Sequence, residues 1–256
     1  MSRVFVTGAG QGIGAETVRQ LLTMGHEVVA HARSITRAEQ MRATTPGVSG
    51  VAIGDLAVMD STRELARQAN EQGPYDAIVH NAGLGGEGEA RQESPDGLEL
   101  IFHTNVVGPY MLTCLMPLAH RMVYLSSGLH ANGVWYPDDL QWESRPWQGM
   151  QAYSDTKLHD SMLAFELAAR HPEIAVNAVD PGWIKTNMGG PGAPDPVSLG
   201  AETPVWLVTS DDPIAHATGQ HIKRHKVLQP NPTVRDTSAR AALVAELERI
   251  TGLALP

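Results

Sequence analysis

An α/β fold is predicted, a doubly wound parallel sheet of about seven strands with helices on both faces, in one domain. Three observations carry it. Short apolar runs alternate with amphipathic stretches from the first residue to about residue 221, the first run leads straight into a glycine-rich turn, and 256 residues fit one large α/β domain.

Strands are placed near 3–7, 27–31, 49–53, 76–80, 121–126, 173–178 and 217–221, with helices between them. The first helix carries Gly14, Val18, Leu21 and Leu22 on one stripe and stops at Gly25, a natural C-terminal cap. The fourth is expected to start at Ser94-Pro95-Asp96, where a capping side chain, a proline at the first helical position and an early acid agree. Segments 128–150 and 182–200 break the alternation; both are rich in Gly, Pro and aromatic residues and each follows a strand. Loops at the carboxyl ends of parallel strands hold ligands in this architecture. Trp135, Trp142 and Trp147 lie in the first loop and Trp183 in the second, where they either glue the loops down or line an apolar pocket.

The formal net charge of −9 argues against nucleic acid and anionic membrane as partners, and the basic run "HIKRHK" at 221–226 is too short to reverse that. Cys114 is the only cysteine, so no intramolecular disulfide and no four-cysteine zinc site can form, which suits a reducing cytoplasm. No apolar run reaches the roughly 18–20 residues that span a bilayer, and "RVFVTGAG" at the start does not read as a leader, so a cytoplasmic protein is expected. His216, His221 and His225 lack carboxylate or cysteine partners at ligand spacing, and no metal is expected.

The first strand ends in "VTGAGQGIG", with Gly8, Gly10, Gly12 and Gly14 just before a helix. Glycines there let the backbone turn sharply and let a pyrophosphate approach the free N–H groups of the helix start, so a dinucleotide site is expected. About 20 residues further on, an acid would accept bonds from the ribose 2′-hydroxyl of NAD; the chain has Ala32 and Arg33 instead. An arginine suits a 2′-phosphate, which favours NADP(H) over NAD(H).

In "QAYSDTKLHDSM", Tyr153 and Lys157 stand four residues apart on one helix face. A free tyrosine, with a pKa near 10, is a poor proton donor or acceptor at neutral pH. A positive charge about 4 Å away is worth about 4 kcal/mol at an effective dielectric of 20, or roughly three pKa units. Such a pair can bring a phenol into the working range.

These motifs resemble the short-chain dehydrogenase/reductase family over almost the whole chain. Thr7-Gly8-Ala9-Gly10-Gln11-Gly12-Ile13-Gly14 matches its TGxxxGxG turn, a spacing that separates it from epimerase-like members. Asp55-Leu56 resembles the adenine contact, and His80-Asn81-Ala82-Gly83 the NNAG element with histidine in its first place. Asn105, Ser127, Tyr153 and Lys157 match the catalytic tetrad in order, and Pro181, Ile184 and Thr186 fall in the loop that binds the nicotinamide carboxamide. Ser127 and Tyr153 are 26 residues apart, a long separation that, with "SSGLH" and "AYSDTKL", is most similar to retinol dehydrogenases, protochlorophyllide reductase and some bacterial ketoreductases.

The resemblance implies a Rossmann-like enzyme that moves hydride between NADP(H) and a small carbonyl or alcohol substrate, expected to be apolar or aromatic. In it Tyr153 is general acid/base, Lys157 lowers its pKa and holds the nicotinamide ribose, Ser127 holds the substrate oxygen, and Asn105 supports a proton relay. The rival is an NADP(H)-binding redox sensor or scaffold without turnover. The helix at 153–170, striped by Leu158, Met162, Phe165 and Ala169, suits either a homodimer interface or interior packing, which leaves monomer and homodimer open.

Overall fold

Consecutive apolar residues, rather than alternating ones, fill the strands because both faces of the sheet are covered. The computed structural model describes residues 1–86, 88 and 90–256. Its strands are β1 (Arg3–Val6), β2 (Glu27–Ala32), β3 (Gly50–Ile53), β4 (Ala77–His80), β5 (Arg121–Leu125), β6 (Ala175–Val179), β7 (Gln220–Lys223) and β8 (Lys226–Leu228). Their order across the sheet is β3-β2-β1-β4-β5-β6-β7-β8, with β1 to β7 parallel and β8 antiparallel to β7. Strand order reverses between β1 and β4, the switch point at which this architecture opens a crevice.

The helices are α1 (Gly12–Thr23), α2 (Ile35–Thr44), α3 (Met59–Glu71), the single turn α4 (Leu100–Phe102), α5 (Gly108–Leu115), α6 (Gly149–Arg170), α7 (Val197–Thr209), the short α8 (Pro213–His216) and α9 (Thr237–Thr251). Phe5, Val29, Ile78, Met122 and Val176 point to one face, where they meet α3, α5, α6 and α9. Their neighbours Val4, Val6, Val28, Val79 and Val123 point to the other, against α1, α2 and α7. No helix among the described residues is long and apolar enough to cross a membrane.

The structure departs from expectation in two places. The eighth strand was missed because the β7–β8 hairpin turns on Arg224 and His225, both at positive φ (50° and 62°), where turn-forming sequences usually carry asparagine and glycine. The unfavourable turn is held by its surroundings: Arg224 N–H donates to Thr203 Oγ1 at 3.1 Å, its guanidinium to Asp195 at 2.8 Å, and His225 stacks on Trp206. No helix begins at Ser94. Ser94 to Leu98 form a tight turn with Gly97 at φ 77°, and the helix starts at Leu100, with the Glu99 carboxylate accepting from Ile101 and Phe102 N–H. Gly97 favours a turn over a helix first turn.

Helix α6 packs in the interior, with 15 of its 22 residues buried. It is covered by turns at Gly128–Asn132 and Pro232–Arg235 and by α9. Arg240 to Glu166 at 3.0 Å and Arg170 to the Leu255 carbonyl at 2.9 Å fasten the C-terminal segment to it. Loop 128–150 closes another side. Arg145 lies between the rings of Tyr136 and Trp142 and pairs with Asp139 and Asp155.

Candidate active site

The glycine turn leaves β1 beside the end of β4. Gly8 (φ 64°) and Gly12 (φ 56°) adopt backbone that other residues avoid, and a Cβ on Gly8 would stand 2.8 Å from Ala82 Cα. Thr7 and Asn81 lock the two strand ends together: Asn81 N–H donates to Thr7 Oγ1 at 2.9 Å, and its amide to the Thr7 carbonyl at 2.8 Å. At the start of α1, Gln11 makes no side-chain cap and the first turn carries no acid. Its N–H groups therefore remain available to an anion, and a pyrophosphate fits this cradle.

A cleft of about 640 Å³ runs from this turn along the carboxyl ends of the strands. At one end it is lined by Ala32, Arg33, Arg37, Asp55 and Leu56, at the other by Leu84, Tyr153, Lys157, Pro181 and Thr186. Asn105 sits on a π-helical turn, His103–Val107, just before α5. Its Oδ1 accepts from Leu84 N–H at 2.7 Å, and its Nδ2 donates to the Leu84 carbonyl and to Thr156 Oγ1, both at 3.0 Å. One side chain thus joins the cleft wall to α6.

Lys157 is 5% exposed, with Nζ donating to the Leu125 carbonyl and to Asp160 Oδ2, both at 2.7 Å, and standing 5.8 Å from the Tyr153 ring centroid. Burial pulls its pKa down, but Asp160 and Tyr153 more than offset this and leave it above the ordinary lysine value. Ser126, next to Ser127, lines the cleft and donates to the Lys157 carbonyl at 2.8 Å. Ser127 caps the turn Gly128–Asn132, its Oγ accepting from Leu129 N–H at 3.2 Å. A second, open cleft of about 510 Å³ adjoins this end of α6, lined by Gly86, Leu129, Asn132, Gln148 to Gln151 and Ser154.

A family model described as short chain dehydrogenase matches residues 2–128. Short-chain dehydrogenase chyC of Penicillium rubens is 35% identical over 100% of this chain and 100% of its own length. The chain belongs to the short-chain dehydrogenase family. Retinol dehydrogenase 13 of Homo sapiens is 28% identical over 99% of this chain and 85% of the relative. The crystal structure of an uncharacterized protein from Mycobacterium paratuberculosis covers 100% of this chain and 95% of its own, with a TM-score of 0.87 and 27% identity. As a short-chain dehydrogenase, the protein is an oxidoreductase.

Of the residues expected in the site of this short-chain dehydrogenase, Gly8, Gln11, Gly12, Ile13, Gly14, Arg33, Asp55, Leu56, Asn81, Ala82, Gly83, Tyr153, Lys157, Pro181 and Thr186 line the main cleft. Asn105, Ser127 and Ile184 do not: Asn105 stands behind Leu84, Ser127 lies one residue beyond Ser126, and Ile184 is buried against Gly200 and Gly189. None of the described residues lining the cleft is a tryptophan. Trp142 and Trp147 pack edge to face at 5.8 Å, and Trp135 packs edge-on to His159, so those three glue the loop down.

Sequence reading missed Arg37, which α2 brings to the same end of the cleft as Arg33. The signal was available, since Arg33 and Arg37 flank the start of a helix capped by Ser34. It also missed Asn187 and Met188, which carry segment 182–200 across the cleft. Asn187 approaches Gln11 at 3.4 Å, and Met188 packs against Gly85.

Proposed function

We propose that the protein reduces a ketone or aldehyde with NADP(H), with Tyr153 as the proton donor. The observation that carries this is the buried Lys157 ammonium beside Tyr153, at the end of a cleft that begins at the glycine turn. When bound, NADPH supplies the hydride. Its pyrophosphate suits the start of α1 and its 2′-phosphate the paired charges of Arg33 and Arg37. Tyr153 gives its hydroxyl proton to the carbonyl oxygen as the carbon is reduced, and Lys157 stabilises the phenolate left behind. Ser127 donates its hydroxyl hydrogen to the same oxygen, since the bond from Leu129 N–H uses only a lone pair of Oγ. Asn105 holds the Leu84 backbone at the wall. Leu84 and Met188 give the substrate end an apolar surface, which favours an apolar or aromatic carbonyl compound.

The test is an NADPH-oxidation screen over ketones, aldehydes, quinones and enals, followed by Tyr153→Phe. Turnover is expected to fall about 10² to 10⁴-fold with NADPH affinity kept, whereas Lys157→Ala loses both. Normal turnover in Tyr153→Phe would remove the assignment, and a wild type inert across the screen would favour a cofactor-binding sensor.

A further inference from the structure

Lys157 has three N–H bonds to give, and two are taken inside the protein by the Leu125 carbonyl and Asp160 Oδ2. The third is left for the cleft. A lysine–aspartate pair at i and i+3 is ordinary on an exposed helix, where it stabilises by a few tenths of a kcal/mol. This one is not exposed: Lys157 is 5% and Asp160 3% accessible, and Asp160 Oδ1 has no partner. Burying both charges and leaving one carboxylate oxygen unpaired is costly to stability, so packing alone does not explain the pair.

The sequence places three groups in a row on α6: the Tyr153 phenol, the Lys157 ammonium four residues on, and the Asp160 carboxylate three further. We propose that Asp160 is a positioning residue for the proton transfer: it fixes Lys157 Nζ and offsets part of the ammonium's field at the Tyr153 phenol. This inference rests on Tyr153 being the proton donor. Lys157 Nζ, 5.8 Å from the Tyr153 ring centroid, favours the phenolate by its charge. A carboxylate about two helical turns from the phenol, roughly 10 Å, returns about one unit at an effective dielectric of 20. Offsetting the ammonium favours the acid form, which is the form that carbonyl reduction consumes.

Two charged groups adjoin the same helix, Asp155 between Tyr153 and Lys157 and the Arg145 guanidinium paired with it at 3.5 Å, and they offset one another; the remaining titratable groups around the pair are neutral at neutral pH. Tyr124, from β5, is raised by burial and donates or accepts with Thr113 at 2.6 Å. His80, from β4, is stacked on Tyr124 and lowered by burial to about 3. His159, on α6 itself, is likewise lowered by burial to about 3. Asp160 is pushed up to about 6 by burial against the pull of Lys157, so above that pH it carries its charge.

The experiment needs no substrate. Protein labelled at tyrosine 13Cζ and saturated with NADP+ is titrated by NMR, with the Tyr153 signal assigned by its loss in Tyr153→Phe. Asp160→Asn is expected to lower the Tyr153 pKa by about one unit, and Asp160→Glu to restore it toward the wild type. Where a substrate is known, the alkaline limb of the reduction rate moves to lower pH by the same amount in Asp160→Asn. An unmoved Tyr153 titration in Asp160→Asn overturns the proposal. If that variant does not fold, the wild-type 13Cγ signal of Asp160 decides: a carboxylate at pH 7.5 supports the proposal and a protonated acid overturns it. Retained turnover in Tyr153→Phe would strike the proton-donor assignment instead, and is read separately from the titration.

Discussion

His31 and Gly8 are joined by a hydrogen bond that sets the height of the cofactor turn: Gly8 N–H donates to His31 Nδ1 at 3.0 Å, while Nε2 reaches the Gly54 carbonyl at 2.8 Å. The ring accepts on one side and donates on the other, so it works only when neutral, and burial lowers its pKa. Burial also lowers His80, His159 and His221 to about 3 each.

Stability is therefore expected to fall early in acid. Below about pH 6.5 the unfolded chain takes up protons that the folded rings refuse, so the stability is full above that pH and is lost as pH decreases. The three histidines near 3 account for about 4 kcal/mol between pH 7.5 and 5.5. Urea unfolding at the two pH values checks this, and equal midpoints would show that the rings are charged or solvated in the folded state.

Arg33 and Arg37 are expected to act together on the cofactor. Removing either should weaken NADPH binding about 10-fold, the loss of one charge-assisted contact, while NADH binding changes little. Dissociation constants of both cofactors for Arg33→Ala, Arg37→Ala and the wild type measure it. Equal affinity of the wild type for NADPH and NADH would defeat the assignment.

Segment 182–200 is expected to gain protection on cofactor binding. Thr186 and Asn187 touch the glycine turn, and Met188 touches Gly85, so an occupied cleft would be gripped from three sides. Hydrogen exchange with and without NADPH should show slower exchange there. Trp183, 59% exposed in the same segment, offers a fluorescence readout. Identical exchange in both states would rule out a closing role.

Loop 128–150 is expected to depend on Arg145. Its guanidinium pairs with Asp139 at 3.0 Å and lies 3.8 Å from the Trp142 ring centroid. Arg145→Ala should cost about 2 kcal/mol, seen in thermal or urea unfolding, because it removes both the stacking and the partner of buried Asp155. A loss within a few tenths would mean the loop is held by its tryptophans alone.

The parallel sheet and the cofactor turn were legible because their signals are local: apolar runs such as Arg3–Val6, and glycines where a Cβ would collide. Tyr153 and Lys157 were legible for the same reason, being one helical turn apart. What escaped depends on contacts distant in sequence. The Arg224-His225 turn is stable only against Thr203, Asp195 and Trp206. Asp160 carries no local mark of burial; the fold, which brings the Leu125 carbonyl to its partner Lys157, buries it. Ser94-Pro95-Asp96 misled because a good cap is also a good turn.

The placement of α6 ties the durability of the catalyst to that of the whole molecule. The helix that bears Tyr153 and Lys157 is wedged beneath the C-terminal segment, and Asp155, Ser161 and Arg170 tie it to loop, strand and that segment. The chemistry therefore has no softer melting point of its own. On heating, loss of turnover and collapse of helical ellipticity should fall on one curve. Breeding this enzyme for new substrates has the loops at the mouth to work with, since the spine that carries the proposed proton donor cannot be loosened without releasing everything stacked upon it.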